Sequence, residues 1–249
     1  MRAYLTTQSC ILSVFTALVC LATISFTVYV PSTRGYFNIG ETMVYTAAIL
    51  FGPFIGAFAG GVGSMLADVL LGYYYYAPAT LVIKAVEGFV VGFLSRRGYA
   101  LLEVYTRREL RIFTAMMGIL IGALVGFLGI FYYSGFAELN SRVFPLGNSV
   151  FFFIPMEFWL GIGVFFVFTV CILAFKFEPE YGFTIVSCVF GGLLMVLGYF
   201  LYEQFLLGVF ALAEVPINVG QMTIGLIVAT PLVKIVKRAL PQVKSQTQN

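Results

Sequence analysis

The chain alternates long apolar stretches with short polar punctuation, and a bilayer-crossing helix needs about 20 consecutive apolar residues. Residues 3–33 carry no charge, and their apolar heart at 10–30 predicts helix 1. An N-terminal secretory signal is the competing reading. The run is too long for one and no small-residue cleavage site follows it. Residues 42–67 are also uncharged, but Gly52-Pro53 interrupts them. Proline removes a backbone donor and biases its predecessor away from helix, so the stretch divides into helix 2 at 38–51 and helix 3 at 54–72. Helix 4 is predicted at 77–95, helix 5 at 112–133, helix 6 at 149–175, helix 7 at 182–207 and helix 8 at 216–237.

Composition agrees with this pattern. Of 249 residues, 61% are hydrophobic and 10% charged, where soluble domains run about 45–50% apolar and about 25% charged. The expected fold class is an all-α integral membrane protein with eight transmembrane helices. Orientation follows from the cations. With both termini cytoplasmic, the inner segments hold Arg2, Arg96, Arg97, Arg107, Arg108, Arg111, Lys176, Lys234, Lys237, Arg238 and Lys244, and the outer ones only Arg34 and Arg142. Eleven against two is a strong positive-inside bias. The outer segments are aromatic or small, and Tyr73, Tyr74, Tyr75 and Tyr76 read as an interfacial belt, with a ligand lid as the open alternative.

Several function classes fall away. Histidine is absent, which removes the usual acid–base group near neutral pH and the commonest imidazole ligand. Cys10, Cys20, Cys171 and Cys188 lie in apolar runs without a close CxxC pair and read as core residues. A net charge of +3 is too small and dispersed for nucleic acid. No Walker A loop, HExxH or GxSxG is present. No catalytic group, metal or cofactor is expected.

The candidate chemistry lies in polar residues where lipid would otherwise be, since ionisable side chains in a span usually face the protein interior. Thr80, Lys84 and Glu87 share one face of helix 4 at i, i+4, i+7. Lys84 and Glu87 can neutralise each other as a purely structural pair or also line a polar cavity. Glu214, Asn218, Gln221 and Gly225 repeat the spacing on helix 8, where each amide offers donor and acceptor for a heterocycle edge or for inter-helix bonding. Tyr199 and Glu203 do so on helix 7. Asp68 ends a row on helix 3 in which Gly52, Gly56, Gly60, Ser64, Asp68 and Gly72 recur every four residues. Such rows let backbones approach. This one drifts around the helix and so predicts contact with more than one neighbour. Gly118, Gly122 and Gly126 mark helix 5, and Ser9, Ser13 and Ala17 give helix 1 a shorter stripe.

Three ordered blocks then carry a resemblance: GYFNIGETMVYTAAILFGPFIGAFAGGVGSMLAD at 35–68 continuing into YAPATLVIKAVEG at 76–88, GYFLYE at 198–203, and AEVPINVGQ at 213–221. Together they resemble the substrate-binding S components of energy-coupling factor vitamin importers, in the riboflavin-transporter-like group. The resemblance covers about 145 residues, at 8–97 and 183–238. It implies a single transmembrane domain, 1–249, with a six-helix core into which residues 112–178 insert a hairpin of helices 5 and 6. On that hairpin, Pro155, Glu157 and Trp159 are positioned to reshape the pocket or the coupling surface.

The resemblance further implies capture of riboflavin, a thiamine pyrimidine precursor or pyridoxine at the outer face of the cell membrane. It implies a separate transmembrane coupling subunit and two cytoplasmic ATPases as partners, and import by rotation of the whole S component. Binding residues would be Asn38, Tyr75, Tyr76, Thr80, Lys84, Glu87, Tyr199, Glu203, Asn218 and Gln221. Ser9, Ser13 and Ala17 would dock on the coupling subunit. Asn218→Ala and Lys84→Ala are expected to weaken binding with folding intact. A stand-alone ion- or proton-coupled transporter using Lys84, Glu87 and Glu203, and a membrane enzyme or assembly factor, are the alternatives.

Overall fold

A computed structural model gives the fold, describing residues 2–30, 35–101, 106–139, 150–176, 179–207, 211 and 214–239. Eight helices follow in order: α1 (Arg2–Ser25), α2 (Glu41–Phe51), α3 (Pro53–Leu71), α4 (Ala77–Leu101), α5 (Arg107–Tyr133), α6 (Met156–Lys176), α7 (Pro179–Leu207) and α8 (Val215–Ala239). Two antiparallel hairpins join them, β1 (Thr27–Val30) with β2 (Gly35–Asn38) and β3 (Gly135–Leu139) with β4 (Val150–Ile154). Arg34, Arg142 and Lys244 lie outside the described residues.

The helices are those the apolar pattern predicts, with corrected ends. Helix 1 stops at Ser25 because Thr27, Val28, Tyr29 and Val30 are β-branched or aromatic and pair with Asn38, Phe37, Tyr36 and Gly35. Asn38 consequently belongs to a strand and helix 2 begins at Glu41. The predicted start of helix 6 is the strand Val150–Ile154, which Pro155 ends before the helix begins. At the other ends charge does not stop a helix. α5 starts at Arg107 because Thr106 caps it, its hydroxyl accepting the Glu109 N–H at 3.3 Å while Glu109 accepts the Thr106 N–H at 2.7 Å.

Among the described residues, six helices (α1, α3, α4, α5, α7 and α8) are long and apolar enough to cross a membrane unaided. α2 has 11 residues, about 16 Å, roughly half the hydrocarbon thickness. It is nevertheless the centre of the molecule, with nine of its residues buried. It packs on α3, α4, α8 and α1, while α4 also packs on α3 and α7. The break from α2 into α3 is made by Gly52 at φ 89°, and there the Arg96 guanidinium donates to the Phe51 carbonyl at 2.9 Å. α5 and α6 pack on each other and meet the rest mainly through α7.

The small residues of α3 serve three neighbours, two of them through the four-residue row. A Cβ on Gly56 would fall 2.6 Å from that of Ala48 on α2 and one on Gly60 3.0 Å from the Lys84 carbonyl of α4, while beside the row one on Gly63 would fall 2.7 Å from the Thr16 carbonyl of α1. Gly118 and Gly122 play the same part for α6, facing Val170, Gly163 and Val167. Cys10, Cys20, Cys171 and Cys188 are free thiols.

Candidate functional site

Where α2 falls short of spanning the membrane, the space beyond its N-terminus is a polar cleft. It encloses about 500 Å³, its open mouth included, and is walled by α1, β2, α2, α3, α4, α7 and α8. Eight of the ten predicted binding residues line it: Asn38, Tyr76, Thr80, Lys84, Tyr199, Glu203, Asn218 and Gln221. Tyr75 does not. It is exposed, stacks on Tyr76 at 4.9 Å, and accepts the Tyr202 hydroxyl on its carbonyl. Glu87 also stays out of the lining and sits behind it, fully buried.

The centre of the site is an ion triad. Lys84, 4% exposed, pairs with Glu41 of α2 and, at 3.2 Å, with Glu87 one turn along its own helix. Glu87 also accepts the Tyr45 hydroxyl at 3.0 Å, and the Lys84 ammonium lies 5.7 Å from the Tyr199 ring centre. The Lys84–Glu87 pair read from sequence is thus half of a larger arrangement. Its third member, Glu41, is 1% exposed and was not among the predicted residues.

Around the triad, phenols meet carboxylates. Tyr36 donates to Asp68 at 2.6 Å and Tyr76 to Glu203 at 3.2 Å, while Tyr199 donates to Thr80 at 3.0 Å. Burial pushes the Tyr36 phenol well above its ordinary range, and the Asp68 carboxylate adds to this. Burial does the same to Tyr76, aided by Glu203 and Glu214. Both therefore remain protonated donors at neutral pH. On the α8 side the Gln221 amide donates to Asn218 at 2.8 Å and accepts the Asn38 backbone N–H at 3.0 Å, tying β2 to the helix. Asn38 in turn accepts the Gly40 N–H at 2.9 Å and turns the chain into α2.

Thr23, Gly35, Tyr36, Gly40, Glu41, Ser64, Asp68 and Glu214 complete the wall. Asp68, Ser64 and Glu214 stood in the helical rows of the sequence. Glu41 had a weaker signal, a carboxylate at the start of an otherwise uncharged run. Tyr36 had none, because its partner lies 32 residues away. No described residue of α5 or α6 lines the cleft. Glu157 is exposed, and Trp159 is buried against Gly129 of α5. Ser9, Ser13 and Ala17 all face outward from α1, opposite the buried Val19 and Thr23. Among the described residues, no three Cys, Asp or Glu side chains come together as a metal site.

Comparison with known proteins places this architecture. A stretch of 67 residues is 54% identical to a protein of Pyrococcus woesei described as "Uncharacterized protein in gap 3'region". The stretch is 27% of this chain and 45% of that protein, so the chain spans less than half the length of the curated relative it matches. The family described as "ECF-type riboflavin transporter, S component" matches residues 5–144, a span that takes in α1 through α5 and all of β3. That match takes in more than half of the chain and all the cleft residues of α1 to α4, and by it this multi-pass helical membrane protein belongs to the ECF-type riboflavin transporter S component family.

Proposed function

We propose that the chain is the substrate-capturing subunit of a vitamin importer, and that its cleft holds one small planar heterocycle taken from the outer face. The observation that carries this reading is the cleft itself. Charged, amide and phenolic side chains from separate helices converge on one void inside an apolar bundle, as orienting groups do in a small-molecule site. Tyr76 and Tyr199 offer aromatic faces, and the Asn218–Gln221 pair offers amide edges of both hydrogen-bonding senses. The ligands this suits are riboflavin, a thiamine pyrimidine precursor and pyridoxine.

The chain carries no ATP-binding loop, so the energy for release inside comes in this reading from partners: a transmembrane coupling subunit and two cytoplasmic ATPases. The outward stripe of Ser9, Ser13 and Ala17 is the docking face, small enough for a partner helix to approach closely. The α5–α6 hairpin is an addition to a six-helix core, in keeping with its absence from the cleft wall. Both termini lie in the cytoplasm.

The test is a panel of B vitamins against the purified protein, without ATP, by thermal shift and native mass spectrometry. One planar heterocycle should bind at one per chain. A panel in which none binds overturns the reading. The buried triad of Lys84, Glu41 and Glu87 favours a second reading, an ion-coupled transporter acting alone. Ligand uptake into liposomes containing only this chain, driven by an ion gradient, would establish that reading instead.

A further inference from the structure

The described residues lining the cleft carry four carboxylates, Glu41, Asp68, Glu203 and Glu214, against a single cation, Lys84. That cation is already committed, since Glu41 from α2 and Glu87 from α4 both hold it. By count, acidic side chains outnumber cations in the wall.

A second observation shows what the wall lacks. Tyr36 satisfies one oxygen of Asp68 and Tyr76 one oxygen of Glu203. Asp68 also accepts the Thr80 hydroxyl, whereas the other oxygen of Glu203, Oε2, has no hydrogen-bond partner, although the residue is only 2% exposed. Glu41 Oε2 is in the same condition. Buried acceptors without donors are costly, and these two line the cleft, where a ligand could supply donors.

The feature that most often receives an anion is also closed. The N-terminus of α2 opens on the cleft at Gly40 and Glu41, where phosphates would ordinarily find free amides. Here Glu41 places a carboxylate on the first turn, and the N–H groups of Thr42, Met43 and Val44 already donate to Ile39 and Gly40 carbonyls.

The geometry points to a ligand that brings several N–H or O–H donors or a positive charge, and to rejection of the same compound once it is phosphorylated. This deepens the vitamin-binding reading above and rests on it. A protonated amine or a cationic ring finds on α7 an acceptor, Glu203 Oε2, that nothing else fills. A phosphate dianion in the same space meets carboxylates at short range in a weakly screening interior. It can enter only by protonating them, and that cost appears as lost affinity.

The experiment compares matched pairs on purified full-length protein in nanodiscs by titration calorimetry: thiamine with thiamine monophosphate, pyridoxamine with pyridoxamine 5′-phosphate, and riboflavin with riboflavin 5′-phosphate. For each pair that binds, the unphosphorylated member should bind on the order of 100-fold tighter. The double variant Asp68→Asn/Glu203→Gln should reduce that ratio about tenfold or more. The ratio is independent of the fraction of protein that is folded. Equal or tighter binding of the phosphate esters by the wild type overturns the inference while leaving the vitamin-binding reading in place. So does a ratio unmoved by the double variant. If no member of any pair binds, the vitamin-binding reading itself fails and takes this inference with it.

Discussion

Replacing Lys84 by methionine keeps most of the side chain's volume and removes its charge. Glu41 and Glu87, 1% and 0% exposed, then face each other across α2 and α4 without a cation. Glu87 retains the Tyr45 hydroxyl, whereas Glu41 has no hydrogen-bond donor in reach. Removing one partner of a buried ion pair costs about 3–5 kcal/mol, or roughly two to four powers of ten in the folded-to-unfolded ratio. The same replacement accompanied by Glu41→Gln and Glu87→Gln strands no charge and should recover most of that loss. Glu41→Gln alone should cost less than Lys84→Met, because Lys84 keeps Glu87 at 3.2 Å. Equilibrium unfolding in mixed micelles of increasing SDS content, followed by far-ultraviolet circular dichroism, ranks the four proteins. A Lys84→Met protein within about 0.5 kcal/mol of wild type would refute the argument, as would a triple variant less stable than the single one. The triad also revises what Lys84→Ala reports. A binding loss there is accompanied by destabilisation, so a fold-intact outcome is no longer expected.

Other substitutions probe packing, recognition and docking separately. Gly88→Leu should cost about 3 kcal/mol or more, because a Cβ there meets the Gly56 backbone, its carbonyl carbon at 2.5 Å; Gly161→Leu, with nothing within 4 Å, should be neutral in the same unfolding assay. Asn218→Ala should weaken ligand binding about tenfold by calorimetry, the worth of one good hydrogen bond in a buried site, and cost about 1–3 kcal/mol of stability, because the buried Gln221 amide loses its acceptor. Ser13→Trp projects from the exposed face of α1, so it should abolish co-purification with a coupling subunit and leave ligand affinity unaltered.

The helices were legible because a bilayer demands long apolar runs, and the Gly52-Pro53 break because a glycine free to take positive φ precedes a proline there. The hairpins were not, for a physical reason. An uninterrupted apolar run such as Val150–Ile154 has no polar positions from which to read a period, so strand and helix cannot be told apart, and Thr27 alone in Phe26–Val30 is too little to set one. Only the β-branched and aromatic content of Thr27–Val30 hinted at the outcome. In the cleft, residues at helical spacing were found because one helix face is a local property. Thr80 and Lys84 share a wall, as do Asn218 and Gln221. Glu41 and Tyr36 escaped because their roles depend on partners 43 and 32 residues away, Lys84 and Asp68. Glu87 shows the converse. It keeps the helical spacing, yet sits one layer too deep to reach the void.

The short helix α2 is strapped to α4 at both ends, by Lys84 at Glu41 and by Arg96 at the Phe51 carbonyl. Ten residues of rise separate the two points on α2 and twelve on α4, about 15 Å and about 18 Å, so the parallel helices match in length between their fastenings. Sliding either past the other by one turn would tear both fastenings at once. The floor of the cleft is therefore a fixed gauge, cut to size before any ligand arrives. A bound molecule need not spend its contacts on assembling the floor beneath it, and they remain available to hold it.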